Sequence, residues 1–126
     1  GVVFTTGSVG HEVLKAVDEV SRSGISLTVA HVPTVAPLDE EECISWLQQF
    51  PIALVVEEHL PQGGLWTGLV EVAARNAIRC HVHQASLPRS YASNYGSQYD
   101  HWDACGLSSR RLAQHFEKIW RATNNG

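Results

Sequence analysis

The chain is predicted to be an α/β protein, with a parallel-core sheet and helices on both faces. Three observations carry this. Strand-like apolar runs alternate with helix-period segments from one end to the other. The run Ile52-Ala53-Leu54-Val55-Val56 is apolar throughout, as a strand buried on both faces must be. Glycine-bearing turns, Gly7 to Gly10 and Gly63-Gly64, stand where strands hand over to helices.

Each element has a local reason. Val2 to Thr6 is the first strand and Gly7-Ser8-Val9-Gly10 the turn after it. A helix over His11 to Ser23 aligns Val9, Val13, Val17 and Val20 on one face. Gly24 suits the left-handed position beyond its end. Ile25 to Val32 is the second strand, and Pro33 and Pro37 forbid regular structure in the loop that follows. Asp39 is an N-cap, with Glu42 three residues on completing a capping box. The helix from Glu40 to Gln49 buries Ile44 and Leu47, and Pro51 ends it. The central strand Ile52 to Val56 follows, then a third helix from Gly64 to Asn76 and a last strand from Arg79 to Gln84. Ser86 to Ser97 is a polar loop. Ser97 and Asp100 cap a short helix that stops at Gly106. Ser108 caps the final helix, with Leu107 and Leu112 as a hydrophobic staple and Leu112, Phe116, Ile119 and Trp120 as its apolar face.

Composition narrows the function. With 126 residues, the chain has room for one domain with one sizeable core. The formal net charge of -4 and the lack of a basic, aromatic-interleaved stripe argue against a nucleic-acid partner. No apolar run approaches the roughly 18 residues of a membrane span, and no signal peptide opens the chain. Cys43, Cys80 and Cys105 form no CxxC pair, so they read as half-buried thiols of a cytoplasmic protein. The sequence has no Met and opens at Gly1, directly against the first strand. The expectation is a single domain, residues 1–126, excised from a longer chain.

Several constellations bear on chemistry. Glu57, Glu58 and His59 close the central strand, and two carboxylates with an imidazole suit acid–base work. Neighbouring strand residues face opposite ways, so Glu57 and Glu58 are not expected to share a site. The favoured reading is structural or interfacial: one Glu accepts backbone N–H groups, and the others meet solvent or a partner subunit. Two helix starts are speculative anion sites, Ser8-Val9-Gly10 and Gly63-Gly64, although at Gly63-Gly64 close packing of the helix on the sheet is the favoured reading. A dinucleotide site is disfavoured because no GxGxxG is present and His31-Val32-Pro33 ends the second strand without an acidic residue. His81 and His83 flank Val82 and face one way. Two ligands do not make a zinc site, and surface or interface histidines are expected. Tyr91, Tyr95, Tyr99, His101 and Trp102 crowd the late loop, where they could stack on a ligand or, the favoured reading, cover a subunit contact. No G-x-S-x-G elbow or convincing triad occurs.

Taken in order, Thr6-Gly7-Ser8, Pro33-Thr34 with Pro37-Leu38-Asp39, Val56-Glu57-Glu58-His59, Gly63-Gly64-Leu65 and Gly106-Leu107 span nearly the whole chain. This pattern resembles the C-terminal domain of transketolase-like thiamin diphosphate enzymes. The same domain occurs in 2-oxoacid dehydrogenase β subunits and in deoxyxylulose-phosphate synthase; the His after the paired Glu looks more like transketolase. Trp66 departs from the pattern, standing where a small residue is usual. The resemblance implies a three-layer α/β/α domain on a mixed, mostly parallel five-stranded sheet. It implies a parent enzyme that moves two-carbon ketol units between sugar phosphates with thiamin diphosphate and magnesium. That cofactor lies between two other domains, so no catalytic, cofactor-binding or metal residue is expected here. The domain is expected to support assembly, within a homodimeric parent or beside a partner subunit, and to be inactive alone. The rival of a different class is an independent anion- or nucleotide-binding α/β module.

Overall fold

In the computed structural model of the chain, residues 1–32, 38–57, 64–85, 103 and 105–124 are described. They form β1 (Val2–Thr5), α1 (Gly10–Ser21), β2 (Thr28–His31), α2 (Glu40–Gln49), β3 (Ile52–Val56), α3 (Leu65–Arg75), β4 (His81–Ala85) and α4 (Ser109–Asn124). The sheet order is β2-β1-β3-β4, and every pairing is parallel. Among the described residues the sheet thus has four strands. Where a mixed, five-stranded sheet was expected, the described residues form four strands, and each of their pairings is parallel.

Strand alternation builds the three layers. Val3, Ile52, Leu54 and Val56 join Val13, Ala16 and Val20 of α1 and Leu112, Ala113 and Phe116 of α4 in one core. Val2, Phe4, Ala53 and Val55 join Cys43 and Leu47 of α2 and Leu65, Leu69 and Val72 of α3 in the other. Both faces of β1 and β3 are buried, which is why those strands carry no polar alternation. Leu38 presses so closely on α3 that a Cβ at Gly68 would stand 2.6 Å from its Cδ1.

Boundaries moved where hydrogen bonds decided them. The second strand is shorter than the apolar run from Ile25. Gly24 takes φ +83°, its N–H bonds to the Ser21 carbonyl, and the Ile25 N–H turns back to the Val20 carbonyl. Ile25 is therefore buried as part of the helix end rather than in the ladder. Asp39 accepts the Glu42 N–H at 3.1 Å, as a cap should. Ile44 is only half-buried, and Cys43 takes its place in the core. Cys80 and Cys105 are half-buried, and the three thiols are free. Among the described residues no helix is long and apolar enough to cross a membrane.

Candidate functional site at the strand ends

The end of β3 sets the first feature. Val56 faces α1 and α4, so the next residue turns toward α3. Glu57 is there, 2% exposed. Its Oε2 accepts the Leu65 N–H at 2.7 Å and its Oε1 the Trp66 N–H at 3.2 Å. The first helical N–H groups have no partner within a helix, and Gly64, the capping residue, has no side chain to offer. A carboxylate at a helix N-terminus also meets the positive end of the peptide dipoles. Glu57 is thus a structural cap. Each of its oxygens accepts one backbone N–H at the start of α3. Glu58, His59 and Gly63 lie outside the described residues.

A second buried carboxylate escaped the sequence reading. Glu12, 3% exposed, sits in the first turn of α1, and its Oε1 accepts the N–H of Ser109 at 2.9 Å, 97 residues away. Its Oε2 meets Lys15 Nζ at 3.4 Å. The clue was available: Glu12 falls three after Val9 and four before Ala16, on the buried face of the helix. Ser108, the expected cap, makes only a 3.4 Å contact with the Arg111 N–H and donates its hydroxyl to Asp103 at 2.7 Å. That hydroxyl, then Arg110, hold the Asp103 carboxyl below the usual carboxylate range. Leu107 and Leu112 are both fully buried in the core under α4.

Trp66 has a use that its bulk concealed. Its indole N–H donates to the Val82 carbonyl of β4 at 3.3 Å, tying α3 to the sheet. On the opposite face of β4, His83 Nε2 is buried, as is Nε2 of His115 on α4, and neither finds a partner among the described residues. Burial pushes both imidazoles below the ordinary histidine range. Nearby His81 and His115 add to this at His83, while a bond to the Gln84 backbone partly opposes it at His115. Among the described residues no three His, Cys, Asp or Glu side chains cluster as a metal site would require. The aromatic group Tyr91, Tyr95, Tyr99, His101 and Trp102 lies outside the described residues.

At the start of α1, Gly7 takes φ +76° and the chain enters the helix through tight turns. Gly10 N–H bonds to the Gly7 carbonyl at 3.3 Å and His11 N–H to the Ser8 carbonyl at 3.4 Å. Val9 is fully buried in the core. A cleft of about 360 Å³ lies beside this turn, lined by Thr5, Gly7, Gly10, His11, Leu14, Val29 and His31. Ser8 and Val9 do not line it.

Among the described residues, the carboxylate at the strand end, Glu57, is held by two backbone N–H groups of α3 rather than turned to an open cleft.

Comparison with known proteins agrees with this geometry. Residues 2–112 match the family described as the transketolase C-terminal domain. The chain is 32% identical over 120 residues to transketolase-like protein 1 of Bos taurus, covering 93% of this chain and 19% of that one. It is 27% identical over 116 residues to a 1-deoxy-D-xylulose-5-phosphate synthase of Parabacteroides distasonis, covering 92% of this chain and 18% of the synthase. The chain thus spans less than a fifth of the length of these relatives. Among solved structures, a split-gene transketolase described as an inactive beta4 tetramer superposes with TM-score 0.79 at 19% identity, over 93% of this chain and 37% of that one.

Proposed function

Because the chain belongs to the transketolase C-terminal domain family, we propose that it is the assembly and support domain of a transketolase-like enzyme. That enzyme transfers two-carbon ketol units between sugar phosphates, and its thiamin diphosphate and magnesium are held by other domains or by a partner subunit. The parent works in the cytoplasm as a homodimer. The carrying observation is Glu57. A carboxylate at the end of the central strand is the residue best placed for acid–base work, and here it is buried with both oxygens on backbone N–H groups. A general base must reach a substrate proton; this one reaches a helix.

The physical demands of the cofactor support the same reading. Its diphosphate needs a divalent ion held by hard oxygen ligands. Its thiazolium needs a dry cleft between two walls. Calorimetric titration of this chain alone with thiamin diphosphate and magnesium should give no saturable isotherm. Stoichiometric, low-micromolar binding would overturn the assignment.

The similarity to a deoxyxylulose-phosphate synthase favours a second reading, in which the same support domain serves a parent that condenses a 2-oxo acid instead of moving a ketol unit. Assaying the whole parent with a ketose phosphate donor and with pyruvate separates the two.

A further inference from the structure

Thr5 lies at the carboxyl end of β1, and its hydroxyl is the starting point. Thr5 is 1% exposed, and Oγ1 is buried with no hydrogen-bond partner among the described residues. A buried hydroxyl left unpaired carries a desolvation cost that a native fold rarely tolerates without a use. This hydroxyl stands at the cleft beside α1. A Cβ placed on Gly10 would lie 4.0 Å from Thr5 Oγ1 and 3.9 Å from His31 Nδ1. Glycine at position 10 therefore keeps open the space between a hydroxyl and an imidazole.

The lining has a consistent chemistry. The hydroxyl of Thr5 and the imidazoles of His11 and His31 can all donate hydrogen bonds, and among the described residues the lining contains no Asp or Glu. The nearest carboxylate on the same helix, Glu12, is buried on another side, against Ser109 and Lys15. The cleft also sits at the N-terminal, positive end of a 12-residue helix whose capping position, Val9, contributes no side-chain bond. Its remaining walls are apolar: Val29 on the edge strand, and Leu14, which is 57% exposed. A volume of about 360 Å³ is within the range of small-molecule sites.

We propose that this cleft binds a small molecule with an oxyanion head, a phosphate monoester or a carboxylate, and a compact apolar body. The head enters beside Gly10, accepts the Thr5 hydroxyl and is flanked by His11 and His31. The apolar body rests on Val29 and Leu14. The site is separate from Glu57 and does not depend on the support role proposed above.

The test uses the whole native polypeptide that carries this chain, titrated calorimetrically with phenyl phosphate, benzoate, inorganic phosphate and benzyl alcohol. Gly10→Ala fills the gap without a clash, since the nearest atom to the new Cβ is 3.8 Å away. Thr5→Val removes the hydroxyl and keeps the shape. Phenyl phosphate or benzoate should bind saturably, and the tighter of the two identifies the head group. Inorganic phosphate, lacking the apolar body, should bind more weakly, and neutral benzyl alcohol should not bind. Thr5→Val should weaken the aromatic anion by about tenfold or more, the usual effect of losing a charge-assisted hydrogen bond, and Gly10→Ala should weaken it by filling the space the head enters. The proposal is overturned by the lack of any saturable binding, by equal binding of benzyl alcohol, or by isotherms that Gly10→Ala and Thr5→Val leave unchanged.

Discussion

Two buried glutamates do the same job on opposite faces of the sheet, and the contrast between them is instructive. Glu57 caps α3 from eight residues away. Glu12 caps α4 from 97 residues away, across the α1–α4 contact. The first joins neighbours in the chain: it fixes how α3 leaves the sheet, with both oxygens engaged by consecutive N–H groups. The second joins the two ends of the chain: it fixes how α4 docks, with one oxygen on the backbone and the other near Lys15. In both places the polar end of a helix is buried, and a carboxylate from a neighbouring element satisfies it. Local chain geometry suffices for one, whereas the other requires the fold to be complete.

Substitutions separate the two. Glu57→Ala strands two N–H groups and should lower stability by about 2–6 kcal/mol, from roughly 1–3 kcal/mol per buried unsatisfied group. Glu12→Ala strands one and should cost about 1–3 kcal/mol. The amide variants sharpen the comparison. A Gln at position 12 can still offer its carbonyl oxygen to Ser109 and should recover most of the loss. A Gln at position 57 must turn an NH₂ group toward one of two donors and should recover less than half. Denaturant midpoints for the four variants check this; equal rescue at both positions would erase the distinction between one-oxygen and two-oxygen caps.

Asp39 gives a smaller effect of the same kind, because its bond to the Glu42 N–H lies at an exposed helix start. Asp39→Ala should lower stability by about 0.5–2 kcal/mol. An unchanged midpoint would show that α2 does not depend on its cap.

The smallest effect is expected from pH, at the half-buried histidines. Burial holds His83 and His115 below the ordinary histidine pKa, so the unfolded chain binds more protons than the folded one as pH falls through about 6.5. Stability should be greatest above that value and decline toward the depressed folded values. His115→Gln should flatten this slope in midpoints measured between pH 8 and 5. Asp103, with its pKa held down by Ser108 and Arg110, contributes in a lower window: its share is present above the unfolded carboxylate range near 4 and is lost as pH falls below it. A slope unaffected by His115→Gln would place the titration elsewhere.

The same contrast explains what could be read before the structure. The continuous apolarity of Ile52 to Val56, the Asp39 cap and the Gly24 stop are short-range facts, and each stands where it was expected. The opposite-face argument for Glu57 and Glu58 also used only local alternation, and Glu57 does take backbone N–H groups. What escaped was long-range. Glu12 shares a helix face with Val9 and Ala16, but the backbone group it caps is 97 residues away and is met only once α4 lies beside it. Thr5 reads as an ordinary strand residue until its hydroxyl is seen to lack a partner. The bulk of Trp66 suggested only altered packing, and its bond to the Val82 carbonyl depends on where β4 runs. The second strand was overdrawn because Ile25 is apolar, and apolarity alone does not say whether a residue is buried under a helix end or within a ladder.

The central claim is that the carboxylate ending the central strand holds the fold together and takes no part in turnover. Glu57→Gln in the whole native polypeptide that carries this chain tests it most directly, with unfolding midpoint and the proposed ketol-transfer turnover per folded molecule measured on the same preparation. The expected result is a lower midpoint with turnover within about twofold of the unsubstituted enzyme. An unchanged midpoint with turnover reduced by roughly a hundredfold or more, the loss typical of a missing general acid or base, would contradict it.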